Sequence, residues 1–331
     1  WNDYQLTYKS EITTTNDITA EEIYSYAKSL TPYGRGKPIE IRDYQVEAVK
    51  TALDRERTLL LSPTASGKSL ILYCIIRYLQ STNAKRGLLI VPTTSLVEQM
   101  YSDFASYGYD SEEYCHRQYA GKEKHTNKFV TITTWQSIYK NEGDYFEQFD
   151  FVLGDEAHQF KAKSLTTILS GCTAAKYRIG TTGTLDGTQT HRLVLEGLFG
   201  PVYKATSTAE LIEKKQLADF SIKCLILKYS DTICKESKSW DYNQELEYIV
   251  MNKARNDFIR NLVLSLNGNS LVLFQFVEKH GKHLYENIKE HAGKRKVFFV
   301  FGGTDVEIRE SIRAITEKEK DAIIVASYGT F

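Results

Sequence analysis

Residues 59–69 read Leu59-Leu60-Leu61-Ser62-Pro63-Thr64-Ala65-Ser66-Gly67-Lys68-Ser69. An apolar strand pattern runs into a short loop, and the loop runs into a helical pattern. In that geometry successive backbone N–H groups turn inward. The helix N-terminus adds its partial positive charge, and the loop becomes a cradle for phosphate. Gly67 lets the backbone come close, Lys68 is spaced to reach β- and γ-phosphates, and Ser69 can hold Mg²⁺ through its hydroxyl. Pro63, Thr64, Ala65 and Ser66 form the body of the loop. Ser62 stands where the general G-x-x-x-x-G-K-[ST] pattern has its first glycine, so on this stretch alone a plain strand–turn–helix remains an alternative.

A second stretch narrows the choice. Phe151-Val152-Leu153-Gly154 has the pattern of a buried strand and delivers Asp155-Glu156-Ala157-His158 to its C-terminal end. In an open α/β sheet that end is where ligands bind. Mg²⁺ keeps several waters and takes few protein ligands, so the Ser69 hydroxyl and the Asp155 carboxylate suffice for it. Glu156 is placed to orient or deprotonate an attacking water. An isolated Asp-Glu pair would read as a solvated loop. A phosphate loop about ninety residues upstream, in a strand–helix series, favours the catalytic reading.

Outward from these stretches, short apolar runs at 58–61, 87–91, 129–133, 151–154 and 177–180 alternate with helical patterns such as 69–79 and 95–105. Alternation of this kind implies right-handed crossovers and a mostly parallel sheet covered on both faces. Thr19 and Glu22 have capping-box spacing before a short helix, and Ser207 and Glu210 repeat it. Pro32, Gly34, Gly36 and Pro38 then read as a hinge-like connection. The pattern restarts after residue 216, with strand candidates at 222–228, 270–274, 296–301 and 322–326. Helical segments at 245–266, 280–290 and 306–315 separate them. The charge run 289–296 reads as a solvated helix end. The expected organisation is an N-terminal linker or end of an accessory domain (1–38), an α/β domain (39–216) and a second, incomplete α/β domain (217–331).

Composition is that of a globular protein, with 42% apolar and 25% charged residues and no formal net charge. Neutrality neither requires nor excludes nucleic acid, because a groove can be locally basic. No apolar run approaches the roughly 18 residues of a membrane span. Cys74, Cys115, Cys172, Cys224 and Cys234 form no C-x-x-C pair, which argues against a zinc site or disulfide framework and for a reducing compartment. Position 1 is Trp rather than Met, so the expectation is a piece of a longer chain.

The two stretches together resemble motifs I and II of the superfamily 2 helicases of DEAH-box type. Further stations follow in the expected order. Arg42-Asp43-Tyr44-Gln45 is similar to the glutamine motif. Val91-Pro92-Thr93-Thr94-Ser95 resembles motif Ia, and Thr133-Thr134-Trp135-Gln136-Ser137 the next strand-bound motif. Thr182-Gly183-Thr184 sits where motif III lies, and Leu271-Val272-Leu273-Phe274 resembles motif IV. Ile324-Val325-Ala326-Ser327 looks like the opening of motif V. Several segments have the character of phage recombination helicases.

The resemblance implies tandem RecA-like domains with ATP and Mg²⁺ as cofactors. It implies Gln45 at the adenine and Lys68, Asp155, Glu156 and His158 in catalysis. His158, Thr182 and Thr184 would couple nucleotide state to domain movement. Pro92, Thr93, Thr94, Thr134, Trp135 and Gln136 would meet the sugar–phosphate backbone. Turn and capping chemistry explains the same Thr and Pro residues equally well, and a packed position is the more ordinary reading of Trp135. The implied partner is branched or partly single-stranded DNA, including RNA–DNA hybrids, in recombination, repair and replication. The implied location is the cytoplasm, that of the host for a phage protein. A restriction or RNA-processing motor shares the same core, and a nucleotide-dependent binding protein without strand separation is the alternative outside enzymes. The Gln-x-x-Gly-Arg-x-x-Arg sequence of motif VI occurs nowhere in residues 1–331, so these residues alone are expected to bind nucleotide better than they hydrolyse it.

Overall fold

The computed structural model describes residues 18–34, 36–119, 126–141, 143–160, 162–185, 189–218 and 220–330. The chain divides into two compact units, 1–220 and 221–331. Most of the expected N-terminal linker, residues 1–17, lies outside the described residues.

The first helix, α1 (Ala20–Ser29), starts where the capping box requires. The Thr19 hydroxyl accepts the Glu22 N–H at 3.2 Å, and the Glu22 carboxylate accepts the Thr19 N–H at 2.7 Å. Ile23 and Ala27, four apart, lie on one helical face and are buried. They belong to the core of the first unit, with Tyr26 edge-on to Tyr78 at 5.5 Å. The expected linker helix is therefore an integral layer of this unit. The Pro/Gly stretch after it folds as a two-residue hairpin, β1 (Tyr33–Gly34) with β2 (Lys37–Pro38).

The central sheet has seven parallel strands. They are β3 (Arg57–Leu61), β4 (Gly87–Val91), β5 (Cys115–Gln118), β6 (Val130–Thr134), β7 (Phe151–Gly154), β8 (Tyr177–Thr182) and β9 (Val202–Lys204), in the order β5-β6-β4-β7-β8-β3-β9. Strand periodicity sorts their side chains onto two faces. Leu60, Leu89, Val91, Phe151 and Leu153 pack into one core with α1, α2 (Asp43–Arg55), α3 (Lys68–Ser81) and α4 (Thr94–Ser106). Leu59, Leu88, Ile90 and Val152 pack on the other side, under helices Ala162–Gly171 and Gln189–Phe199. Each such fully buried aliphatic side chain contributes about 1.5–3 kcal/mol relative to exposure. Gly87 lets β7 close on β4, because a Cβ there would fall 1.9 Å from Cζ of Phe151.

In the second unit β10 (Ser270–Phe274), β11 (Val297–Val300) and β12 (Ile323–Ser327) form a parallel sheet ordered β10-β12-β11. Ile323 and Val325 face a core with helices Lys253–Ser265 and Lys282–His291. Ile324 and Ala326 face Ile312 of helix Val306–Lys318.

Three readings are corrected. Residues 222–228 form no strand, and Ile222 and Ile226 are 76% and 84% exposed, so the apolar run lacks a sheet neighbour among the described residues. The single helix expected over 245–266 is two, Tyr242–Met251 and Lys253–Ser265. Asn252 leaves the helical region at ψ 112° and caps the second, accepting the Arg255 N–H at 2.9 Å. The 289–296 charge run is not uniformly solvated, since the Arg295 guanidinium donates to the carbonyls of Val263, Leu266 and Gly268. Edge strands β5 and β9 lacked a pattern strong enough to read.

Candidate active site

The phosphate loop joins β3 to α3, and its shape rests on two left-handed residues. Gly67 has φ +79° and Ala65 φ +63°. A Cβ at Gly67 would meet Nε2 of Gln45 at 2.4 Å, so the position excludes side chains by sterics as well as by dihedral. Alanine in the left-handed region costs about 1–2 kcal/mol, which is why glycine is frequent at position 65 of such loops. Inside the loop the Ser62 hydroxyl donates to Ser66 Oγ at 2.7 Å, and Ser66 Oγ–H donates to the Pro63 carbonyl at 2.6 Å. Ser62 thus replaces the first glycine with a brace. Tyr44 O–H and Gln45 Nε2–H both donate to the Ser66 carbonyl, at 2.6 and 2.9 Å.

Gln45 is 3% exposed, and its Oε1 accepts the Arg42 N–H at 2.9 Å. Its amide therefore clamps the start of α2 to the phosphate loop. One amide hydrogen and one lone pair are left over for an adenine edge.

β7 carries Asp155 and Glu156 to the same end of the sheet. Asp155 is buried, and burial pushes its carboxyl above the ordinary range. The Thr181 hydroxyl, donating at 2.6 Å, opposes that shift. Both hydrogen bonds to the carboxylate, from Thr181 and from the Glu156 N–H, fall on Oδ1. Oδ2 is the oxygen left to meet a cation. Among the described residues no group of three or more His, Cys, Asp or Glu could hold a metal ion. A cation here would have the hard oxygens of Ser69 and Asp155 as its protein ligands, a set compatible with Mg²⁺ on a phosphate chain. The Ser69 hydroxyl is at present bonded to Tyr107 Oη, 2.8 Å away.

Glu156 sits in left-handed backbone, φ 49° and ψ 46°, which turns its carboxylate back over the loop. Its Oε1 is 3.0 Å from Lys68 Nζ. Its Oε2 accepts the Gly183 N–H at 3.4 Å and lies 3.4 Å from His158 Nδ1. His158 Nδ1 is also 2.8 Å from Thr182 Oγ1. The Thr182 hydroxyl has one proton and gives it to the Thr184 carbonyl at 2.6 Å. Nδ1 must then be the protonated nitrogen that donates to Thr182. A Cβ at Gly183 would lie 3.6 Å from Lys68 Nζ and 3.6 Å from Thr64 Oγ1, an ordinary contact, so the alanine usual in motif III would fit.

The expected backbone-contact residues gather at the ends of β4 and β6, which pair Val91 with Thr134. Thr93, Thr94 and Gln136 are exposed. Thr93 caps α4, accepting the Leu96 N–H at 3.3 Å, and Gln136 donates to the Pro92 carbonyl at 3.4 Å. Pro92 and Thr134 are buried, and Thr134 bonds Ser137. Trp135 is half-buried with its ring 6.0 Å from Tyr139, closer to a packed position than to a base platform. Sequence reasoning missed Thr181, Tyr44 and Tyr107. The register that sets Gly154 beside Gly180 places Thr181 next to Asp155, so knowledge of the strand order would have found it.

A phosphate loop, an acidic pair on a nearby strand and a Thr-bearing strand between them define a P-loop NTPase fold of RecA-like type. A family model described as "Type III restriction enzyme, res subunit" matches residues 38–187. The ATP-dependent DNA helicase uvsW of Enterobacteria phage T4 is 32% identical over all of this chain and 66% of its own length. The DNA 3'-5' translocase XPB2 of Sulfurisphaera tokodaii is 28% identical over 61% of this chain and 43% of its length. The crystal structure of T4 UvsW aligns over 95% of this chain and 63% of that one, at 31% identity and a TM-score of 0.54. The chain belongs to the superfamily 2 helicases, and it spans 66% and 43% of the length of these two curated relatives.

Proposed function

We propose that the chain is the nucleotide-hydrolysing core of an ATP-driven DNA helicase or translocase. The observation that carries this reading is the unbroken set of contacts from Lys68 through Glu156 and His158 to Thr182. It connects a phosphate-binding cation, a candidate base and a neighbouring strand end. Lys68 and the loop N–H groups bind the phosphates of ATP, and Gln45 braces the loop from the adenine side. Ser69 and Asp155 hold Mg²⁺, which supplies positive charge to the phosphate oxygens when bound. Glu156 orients the attacking water and takes its proton on a carboxylate oxygen. His158, Thr182 and Thr184 pass the position of Glu156 to the end of β8.

On the same reading, exposed Thr93, Thr94 and Gln136 contact nucleic-acid phosphates through hydroxyl, amide and backbone N–H groups, without reading bases. The finer assignment is branched DNA: forks, Holliday junctions and RNA–DNA hybrids, in recombination, repair and replication. Similarity to the T4 helicase supports it. The description of the matched family model favours a second reading, the motor of a restriction system.

The test is ATP turnover by the full-length protein, with and without forked DNA, beside a Glu156→Gln variant. DNA-stimulated turnover that the substitution abolishes is the expected result. Equal rates in all conditions would leave a nucleotide-dependent binding protein. Cleavage of the DNA would favour the restriction reading.

A further inference from the structure

The loop alone does not direct the Ser69 hydroxyl. Its Oγ lies 2.8 Å from the hydroxyl of Tyr107, the residue that ends α4. Tyr107 is fixed from two sides. Its N–H donates to the Asp103 carbonyl at 2.9 Å, and its ring packs against Tyr73 of α3 at 5.3 Å. We propose that Tyr107 is a positioning residue for the metal-ligand hydroxyl of Ser69, which rests on the ATP and Mg²⁺ reading above.

The chemistry follows from one proton. A serine oxygen that meets a cation must present a lone pair, so its hydrogen has to point elsewhere. Left alone in a first helical turn, a serine hydroxyl turns to nearby backbone groups and its rotamer wanders among them. Tyr107 offers an acceptor on the side of α3 that faces α4. Donation there fixes χ1 of Ser69 and leaves both lone pairs of Oγ outward. The phenol keeps its own proton for solvent, which its half-buried position allows. Partners that orient a metal ligand in this way typically change metal affinity by about 10–100-fold when removed.

The experiment is equilibrium binding of a fluorescent non-hydrolysable ATP analogue, with Mg²⁺ and in EDTA. It compares the wild type, Tyr107→Phe, Ser69→Ala and the double variant. Phenylalanine keeps the ring against Tyr73 and removes only the hydroxyl, and matched thermal midpoints check that the fold is intact. The expected result is unchanged affinity in EDTA and a gain from Mg²⁺ reduced about tenfold in Tyr107→Phe. In the Ser69→Ala background the same substitution should have no further effect. An unaltered Mg²⁺ gain in Tyr107→Phe, or an equal loss with and without Ser69, overturns the inference and leaves the ATP site standing. A wild type that binds the analogue under neither condition overturns both.

Discussion

Lys68 Nζ lies 3.0 Å from Glu156 Oε1, so the proposed phosphate-binding cation and the candidate base hold each other. Both are largely withdrawn from water, at 9% and 20% side-chain exposure. On the proposed function, a γ-phosphate arriving in the loop would compete with Glu156 for that ammonium and free the carboxylate to turn toward water. Glu156→Gln removes the competing charge and keeps the shape. Nucleotide affinity is therefore expected to hold or rise, while turnover falls by about 10²–10⁴-fold, the usual weight of a positioned base. Analogue titration alongside single-turnover hydrolysis checks both halves, and weakened nucleotide binding would count against the competition.

Ala65 carries the opposite kind of information, a residue held where its side chain is a burden. At φ +63° it sits in left-handed backbone. The strain of about 1–2 kcal/mol is partly offset by the lower unfolded-state entropy of alanine, about 0.5–1 kcal/mol. Ala65→Gly is expected to leave stability unchanged or raise it by up to about 1.5 kcal/mol, with nucleotide affinity retained. Urea unfolding gives the number. A loss above about 1 kcal/mol would mean that the methyl group makes contacts that outweigh the dihedral strain.

The contrast between Ala65 and Thr181 shows what was legible in the chain. Lys68, Asp155 and Glu156 were readable because the chemistry is local: an apolar strand, a turn and a helix start lie within a dozen consecutive positions. The β4 and β7 bounds were readable because buried parallel strands are continuous apolar runs. Thr181 and Tyr107 act across strands and helices, and their partners are 26 and 38 positions away in sequence. No spacing rule reaches that far. Gln45 was placed at the adenine by resemblance, whereas its bonds to Arg42 and Ser66 depend on how α2 packs against the loop. Residues 222–228 were misread because an apolar run fixes strand propensity but not a sheet neighbour.

His280 is expected to give the second unit a pH-dependent stability. It is buried in the turn Val277–Gly281, with Nε2 3.3 Å from Asn256 Oδ1. Burial first, and the Arg255 charge second, hold its pKa below the ordinary 6.5. Above that value both folded and unfolded chains carry a neutral ring, and stability is complete. As pH falls below it, the unfolded chain takes up a proton that the folded one refuses, so stability declines. His280→Gln keeps a polar group facing Asn256 and removes the titration. Hydrogen exchange in helix Lys282–His291 should accelerate between pH 7.5 and 5.5 more in the wild type than in the variant, after correction for intrinsic rates. Parallel profiles would exclude His280 as the source.

Thiol reactivity reports on the two units separately. Cys74, Cys115 and Cys172 are buried in the first unit, and burial pushes each thiol up to about 12. At pH 8 that leaves a thiolate fraction of about 10⁻⁴, and the thiolate is the reactive form. Cys224 and Cys234 in the second unit are exposed. A maleimide pulse on the native protein should therefore modify Cys224 and Cys234 within minutes and reach the other three only after denaturation. Peptide mapping by mass spectrometry reads the order. Cys172 directly follows helix Ala162–Gly171 and belongs to the same core as Val152 of β7, so its early modification would mean that this side of the sheet opens in the native state.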